Sequence, residues 1–260
     1  MRKWGRRILF ALQFMTRYPI KANFNMTDDD YARIGVGFPI VGLCVGVFAG
    51  LCALFASLTV SNYTIALCYV LGSTLITGAF HLDGFCDMME AIFGSTNREK
   101  MLAIMKQSRI GIAGSVAAFM DILIKSVLSY IILENSSFWP AVAYFVGAPI
   151  AGRLTLATGS VVSYSARRGG LGKPFIDNSN IFDLIRATIV SIILLSPLYL
   201  IVDIMLIIPV LIVPLIQILL GIILSKAISC KLGGITGDTL GFMNEFGELV
   251  FLGFAVWLVI

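Results

Sequence analysis

The chain has 260 residues, of which 58% are hydrophobic and only 13% are charged, and its mean hydropathy is +0.93. A water-soluble protein of this length could not bury so much apolar surface, so the composition predicts a membrane protein. The net charge of +4 comes from basic residues spread over several loops without interleaved aromatic residues, so we expect no nucleic-acid partner. The five cysteines show no metal-binding or disulfide spacing, and we interpret them as packing residues.

The N-terminal segment, residues 1–34, is predicted to lie in the cytoplasm or at the membrane interface. Its beginning is amphipathic, because basic residues stand beside a face formed by Trp4, Ile8, Leu9, Leu12 and Phe14. No signal-peptide cleavage site is evident after the short apolar run that follows, so we expect the segment to remain attached.

The rest of the chain is predicted to cross the membrane about seven times, since a spanning helix needs about 20 mostly apolar residues. The windows are Gly35–Val60, Tyr63–Phe80, Ile110–Leu133, Phe138–Val161, Ala187–Val202, Ile204–Leu224 and Phe246–Ile260. Pro209 and Pro214 are expected to kink the sixth window. The seventh is short unless residues 241–245 extend it, so six spans remain an alternative. The predicted fold is one all-α polytopic membrane domain over residues 1–260.

The seven-span arrangement places all the long connections on one side of the membrane. Those connections and the N-terminal segment hold every Lys and Arg except Lys125 and Arg153. The other side receives only short turns. Because positively charged loops stay in the cytoplasm, this distribution predicts a cytoplasmic N-terminus and cytoplasmic active-site loops.

A first acidic cluster follows the second window. Asp83, Asp87 and Glu90 stand at i, i+4 and i+7, so a helix would present all three carboxylates on one face. Like charges at a membrane boundary need compensation, and oxygen ligands suit a hard cation such as Mg²⁺. The alternative is a solvated acidic face. His81 adjoins the cluster and could accept a proton from a hydroxyl nucleophile.

A second candidate segment, residues 233–248, begins with a glycine-rich turn. Backbone amides at such a turn can bind phosphate, so we single out Gly234, Thr236 and Gly237, although the turn lacks a P-loop pattern and is a weak signal alone. A second set of carboxylates follows at helical spacing with no basic residue nearby in the sequence. The acids are Asp238, Glu245 and Glu248, and Asn244 lies among them.

The cationic candidates for phosphate binding are Arg17, Lys106, Arg109 and Arg153. The alternative for each is topological or structural: Arg17 belongs to a surface anchor, the loop residues orient the chain, and Arg153 snorkels to the cytoplasmic surface. Asp121 and Lys125, at i and i+4 within a span, could simply satisfy each other.

At these residues the sequence resembles the cobalamin synthase family, adenosylcobinamide-GDP ribazoletransferase, along nearly its whole length. The resemblance is carried by blocks in order at residues 14–19, 38–42, 81–109, 152–153 and 233–248. The family usually has Asp-Gly where this chain has Glu90-Ala91, and an acidic residue where it has Gln107. These departures put the geometry of a metal site at Glu90 in doubt.

The resemblance implies that the chain joins α-ribazole or its 5'-phosphate to adenosylcobinamide-GDP and releases GMP. It implies catalytic roles for His81, Asp83 and Asp238 and a Mg²⁺ cofactor on the pyrophosphate, with phosphate-binding cations. The metal ligands would come from Asp83, Asp87, Glu90, Asp238, Glu245 and Glu248. The setting would be a bacterial or archaeal cytoplasmic membrane, with lipid as a partner.

Two alternatives stay open from the residues alone. A CDP-alcohol or prenyl-type membrane transferase also pairs acidic motifs across helices, although the spacing here departs from both signatures. A cation-coupled transporter would depend on Asp121, Lys125 and Arg153, but the acidic clusters lie at one surface rather than at the midplane. The number of metals, the preferred ribazole form and the formation of a homo-oligomer stay open too.

Overall fold

The computed structural model describes residues 3–27, 30–31, 33–58, 61–107, 109–170, 172–202 and 207–260. Within these residues a 3₁₀ turn, Ile34–Gly37, precedes α2. The α-helices are α1 (Lys3–Met15), α2 (Phe38–Ser57), α3 (Asn62–Thr77), α4 (Phe80–Gly94), α5 (Arg98–Ile104), α6 (Ile112–Asn135), α7 (Phe138–Val162), α8 (Lys173–Asn178), α9 (Ile181–Val202), α10 (Ile207–Leu232) and α11 (Gly237–Val259).

Six segments in the described part of the chain are long and apolar enough to cross a membrane. They are Ile34–Ser57, Ile112–Asn135, Phe138–Val162, Ile181–Leu200, Pro209–Leu232 and Gly237–Val259. The helices α3 and α4 pass the same test only as a pair, bent by 92°, which gives seven if the pair is one span. The predicted all-α polytopic membrane fold is confirmed.

Three predicted windows were placed too narrowly. The fifth span begins at Ile181, the sixth continues to Leu232, and the seventh begins at Gly237 rather than Phe246. The last difference is the largest, because Glu245 and Glu248 lower the local hydropathy although both side chains are buried in the bundle. A hydropathy window cannot register the partners that allow a carboxylate to be buried.

The bend between α3 and α4 is made by two residues in the left-handed region, Gly78 (φ +60°) and Ala79 (φ +58°). The side chain of Arg17 fills the space beside Gly78 that a Cβ would need. The backbone N–H of Arg17 also donates to the carbonyl of Ile76 at 2.7 Å. This corner turns α4, and with it the first acidic cluster, out of the direction of α3.

Close helix approach at glycines holds the bundle around α7. A Cβ at Gly42 or Gly46 of α2 would lie 2.5 Å from a carbonyl oxygen of α7. Small residues permit such backbone contact between membrane helices, where the lipid supplies little driving force for association. The result is that α7 is the most buried of the candidate spans.

The N-terminal helix α1 packs on the bundle, with Ala11 and Met15 in the core. Arg7 is buried as well, and its Nε donates to Asp30 Oδ1 at 2.9 Å. Burial alone would raise the pKa of Asp30, but hydrogen bonds from Thr27 and Arg7, with the charge of Arg6, hold the pKa below its usual range. Ala11 and Met15 therefore dock α1 on the bundle, and the ion pair ties α1 to the later part of the N-terminal segment.

Candidate active site

A cleft of about 180 Å³ lies at the end of the bundle that carries the long connections. Its charged residues come from three parts of the chain: Asp83 from α4, Arg167 and Lys173 from the segment after α7, and Asp238 from α11. His81, Thr236 and Gly237 line it as well, together with several phenylalanine rings. The structure thus brings the start of the first acidic cluster and the start of the second candidate segment into one site.

Two glycines allow α4 and α11 to meet at the cleft. A Cβ at Gly84 would lie 2.5 Å from the carbonyl oxygen of Asp238, and a Cβ at Gly241 would lie 2.9 Å from the carbonyl oxygen of His81. Thr236 caps α11, because its hydroxyl accepts the N–H of Thr239 at 3.3 Å. Backbone contact on one side and a cap on the other hold Asp238 in the first turn of its helix.

The acidic residues at the cleft are only partly compensated. Arg167 Nη1 donates to Asp238 Oδ2 at 3.0 Å, and Arg167 Nη2 donates to the carbonyl of Leu102 at 3.2 Å. The negative charges of Asp83 and Asp238 repel the carboxylate of the half-buried Asp87, and the positive charge of Arg167 offsets part of that repulsion. Asp83 and Asp87 form no ion pair with any residue that the structure describes, and carboxylate oxygens of this kind suit a hard divalent cation. Among the described residues no three His, Cys, Asp or Glu side chains already stand in a metal-binding arrangement.

Glu90, the third acid of the first cluster, points to α6 instead of the cleft. Its Oε2 accepts the backbone N–H of Gly114 at 2.6 Å, in the first turn of α6. Gly111 leaves the space that the carboxylate occupies. A carboxylate at this place satisfies an unpaired helix amide and complements the helix dipole. The role of Glu90 as a metal ligand stays a prediction, and the structure supplies it with a different partner.

The other two acids, Glu245 and Glu248, lie in a buried charge network. Lys125 Nζ contacts Glu245 Oε2, lies 3.2 Å from Glu248 Oε2, and lies 3.1 Å from Asp121 Oδ2. Arg153 Nη1 is 2.6 Å from Glu248 Oε1. The second acidic set, which has no basic residue near it in the sequence, therefore has basic partners in the structure. The partners come from α6 and α7, which are distant in sequence.

Two further expectations about these cations are corrected. Arg153 is fully buried and does not snorkel to the surface. Lys125 does not serve Asp121 alone, since it reaches two carboxylates of α11. As metal ligands Glu245 and Glu248 remain predictions, and in the structure they compensate the charges of Lys125 and Arg153.

His81 connects this network to the cleft, whereas Asn244, predicted to bind substrate, is buried within the network and does not line the cleft. Arg153 Nη2 lies 3.5 Å from His81 Nδ1, and Asn244 Nδ2 donates to Glu248 Oε1 at 3.1 Å. A guanidinium can only donate, so His81 Nδ1 is the acceptor and its ring hydrogen is on Nε2. Proton abstraction by Nδ1 would require His81 to leave Arg153. The predicted catalytic role of His81 is not tested by this geometry.

Backbone amides of the glycine-rich turn form hydrogen bonds within the protein. Gly234 adopts φ +129°, which allows Ile235 to pair with the segment after α7: the N–H of Ile235 donates to the carbonyl of Tyr164 at 2.9 Å. The amide of Thr236 donates to the hydroxyl of Thr239 at 2.8 Å. These amides are engaged within the protein, so the turn is not an open anion nest at those two residues. Gly237 and Thr236 still line the cleft.

Comparisons with known proteins match the whole chain. The family described as Cobalamin-5-phosphate synthase matches residues 7–256. A relative from Thermoanaerobacter pseudethanolicus, named adenosylcobinamide-GDP ribazoletransferase, is 34% identical over 253 residues, 95% of each chain. Relatives of the same name from Clostridioides difficile and Clostridium novyi are 33% and 31% identical, each over 95% of both chains. No solved structure matches the chain.

The chain belongs to the cobalamin-5-phosphate synthase family. The resemblance predicted from the sequence blocks is thereby confirmed.

The cations that were predicted to bind phosphate lie in different parts of the structure. Lys106 and Arg109 are exposed and are not among the residues that line the cleft, and Arg17 lies at the corner between α3 and α4.

Sequence analysis missed the cations that do reach the cleft, Arg167 and Lys173. Their segment reads Arg167-Arg168-Gly169-Gly170-Leu171-Gly172-Lys173, with basic residues on both sides of three glycines. Gly169, Gly170 and Gly172 also line the cleft. Basic residues beside glycines are typical of a phosphate-binding loop. From the sequence alone, these charges were used only to predict the orientation of the chain in the membrane.

Proposed function

We propose that this chain joins α-ribazole or its 5'-phosphate to adenosylcobinamide-GDP with release of GMP, at the cytoplasmic face of a bacterial inner membrane. The observation that carries the proposal is the cleft itself. It sets the carboxylates of Asp83 and Asp238 beside the cations Arg167 and Lys173, at the junction of family-matched segments. Opposed charges of this kind suit transfer between phosphate-bearing substrates.

In the proposed reaction a free ribose hydroxyl oxygen of ribazole, which cannot be the 5'-oxygen when that position carries a phosphate, bonds to the phosphorus that carries the cobinamide linker. The bond from that phosphorus to the bridging oxygen breaks, and GMP leaves with the bridging oxygen and its electron pair. The hydroxyl proton passes to solvent or to a nearby base. Arg167 and Lys173 are placed to bind the phosphates and offset the charge that develops on the leaving group.

Asp83 and Asp238, which line the cleft, and the neighbouring Asp87 are the residues that would hold Mg²⁺, because carboxylate oxygens are the ligands it prefers. Bound there, the metal would neutralise pyrophosphate oxygens. Arg167 already holds Asp238 in position through its second contact with Leu102. Glu248 supports the site by keeping Arg153 beside His81.

The alternative functions lack comparable support. A transporter would use the buried charges of the spans, but Lys125 and Arg153 are both paired with carboxylates. The family match does not favour a CDP-alcohol phosphotransferase either.

Release of GMP by the purified protein tests the proposal. In detergent with adenosylcobinamide-GDP, α-ribazole and Mg²⁺, we expect turnover by the wild type and a loss of about 100-fold or more in Asp83→Asn. Glu134→Gln is the matched control, because Glu134 bonds Asn62 at the opposite end of the bundle. No GMP release under conditions where the Thermoanaerobacter relative is active would contradict the function. Full turnover in Asp83→Asn would contradict the site.

A further inference from the structure

Part of the cleft is aromatic rather than charged. Phe14, Phe38, Phe80 and Phe175 line it, and we call these four rings the aromatic floor. The Phe14 ring centroid lies 5.1 Å from that of Phe80 and 5.5 Å from that of Phe175, and Phe38 lies 6.3 Å from Phe175. The rings come from α1, α2, α4 and α8, so four separate elements converge on one apolar surface.

Phe14 and Phe80 are partly exposed, whereas Phe38 and Phe175 are almost fully buried, so the first two rings form the accessible part of the floor beside the charged groups. Protein interiors are packed closely, and an unfilled apolar cavity costs stability because its lining loses contacts. Water gains little there, since the four rings offer it no hydrogen-bond acceptor or donor comparable to a polar side chain. The floor nevertheless adjoins Asp83 and Lys173 in the same cleft. A ligand with one apolar planar end and one phosphate or hydroxyl end would satisfy both surfaces.

We propose that the aromatic floor binds the dimethylbenzimidazole base of ribazole, an inference that rests on the proposed function. Guanine, the base of the other substrate, has a polar edge whose hydrogen bonds would be lost against phenylalanine rings. Dimethylbenzimidazole has a single ring-nitrogen acceptor and otherwise apolar edges, so it loses fewer hydrogen bonds when it stacks on aromatic side chains. A cleft of about 180 Å³ has room for one such ring system rather than a whole large ligand.

The order of residues along the chain sets the direction of the bound nucleoside. Phe80 precedes His81 directly and Asp83 by three residues, while Phe175 follows Lys173 by two. Each segment therefore presents a ring and a polar group to the same cleft. With its base on the floor, ribazole would direct its ribose toward Asp83, near the proposed position of the cobinamide-linked phosphorus.

Separate Michaelis constants for the two substrates test this inference. We expect Phe80→Leu and Phe14→Leu to raise the KM for α-ribazole about 10-fold, as loss of one stacking ring does for other bases. The KM for adenosylcobinamide-GDP should stay within about twofold. Phe14→Leu is included because Phe80 also contacts the His81 ring, at 5.2 Å between centroids. Phe119→Leu is the control, since Phe119 lies on α6 and is 63% exposed.

The outcomes separate the inference from the function on which it rests. Wild-type turnover with both KM values unchanged in both floor variants would show that the rings only pack. A raised KM for adenosylcobinamide-GDP alone would assign the floor to guanine and overturn the inference. A wild-type protein that releases no GMP would contradict the proposed function itself, before any variant is compared.

Discussion

Lys125 is the residue on which the buried charge network depends. Its ammonium group is within contact of three carboxylates, those of Asp121, Glu245 and Glu248, and its side chain is only 7% exposed. Taking a charge out of water costs several kcal/mol, and removing one partner leaves the others uncompensated. Intramembrane charges of this kind persist only when they are paired.

We therefore expect Lys125→Met to destabilise the protein by about 3–5 kcal/mol. The measurement is thermal unfolding of the purified protein in detergent, with Lys100→Met as control because Lys100 is exposed on α5. Adding Glu245→Gln to Lys125→Met should recover part of the lost stability, since it removes one uncompensated charge. If Lys125→Met melted at the same temperature as the wild type, the ion pairs of Lys125 would contribute no net stability.

At the scale of elements, α4 performs two different tasks along its length. Its first turn presents Asp83 to the cleft, whereas Glu90, two turns later, accepts the N–H of Gly114 at the start of α6. The sequence predicts one acidic face along this helix. In the structure Asp83 faces the cleft, whereas Glu90 caps α6. The 92° bend before α4 makes this division possible, because it lets the helix lie between α11 and α6.

Glu90→Gln tests that division. A glutamine keeps an oxygen acceptor for the Gly114 amide but removes the charge, so we expect a loss of stability of about 1 kcal/mol and nearly unchanged turnover. Glu90→Ala should cost more stability. The decisive measurement is the Mg²⁺ concentration for half-maximal rate. A shift in Glu90→Gln as large as that in Asp87→Asn would make Glu90 a metal ligand.

On the scale of the whole molecule, the two ends of the bundle are built differently. At one end the long connections bind each other: Arg98 Nε donates to the carbonyl of Leu232 at 2.7 Å, and Ser165 pairs with Ile235. At the other end a hydrogen bond from Asn62 to Glu134 joins the start of α3 to the end of α6. The charged cleft lies at the first end.

Labelling of single cysteines tests the proposed orientation. We expect a membrane-impermeant maleimide to modify Ser61→Cys in intact cells, and to modify Gln107→Cys only after the membrane is opened. The exposed native Cys230 is first replaced by serine. Both chosen positions are exposed, and they lie at opposite ends of the bundle. The reverse labelling pattern would place the cleft outside the cell.

The sequence by itself determined the membrane environment, the approximate number of spans, the family and the participation of Asp83 and Asp238 in the candidate site. Hydropathy, charge distribution and local motifs carry that information because they depend on residues near one another in the chain. Only the tertiary structure decided which carboxylates are compensated. Lys125 and Arg153 reach Glu245 and Glu248 across 95 to 123 residues, and Arg167 rather than Lys106 reaches the cleft. Ion pairs between helices follow from packing, which helical spacing within one segment cannot express.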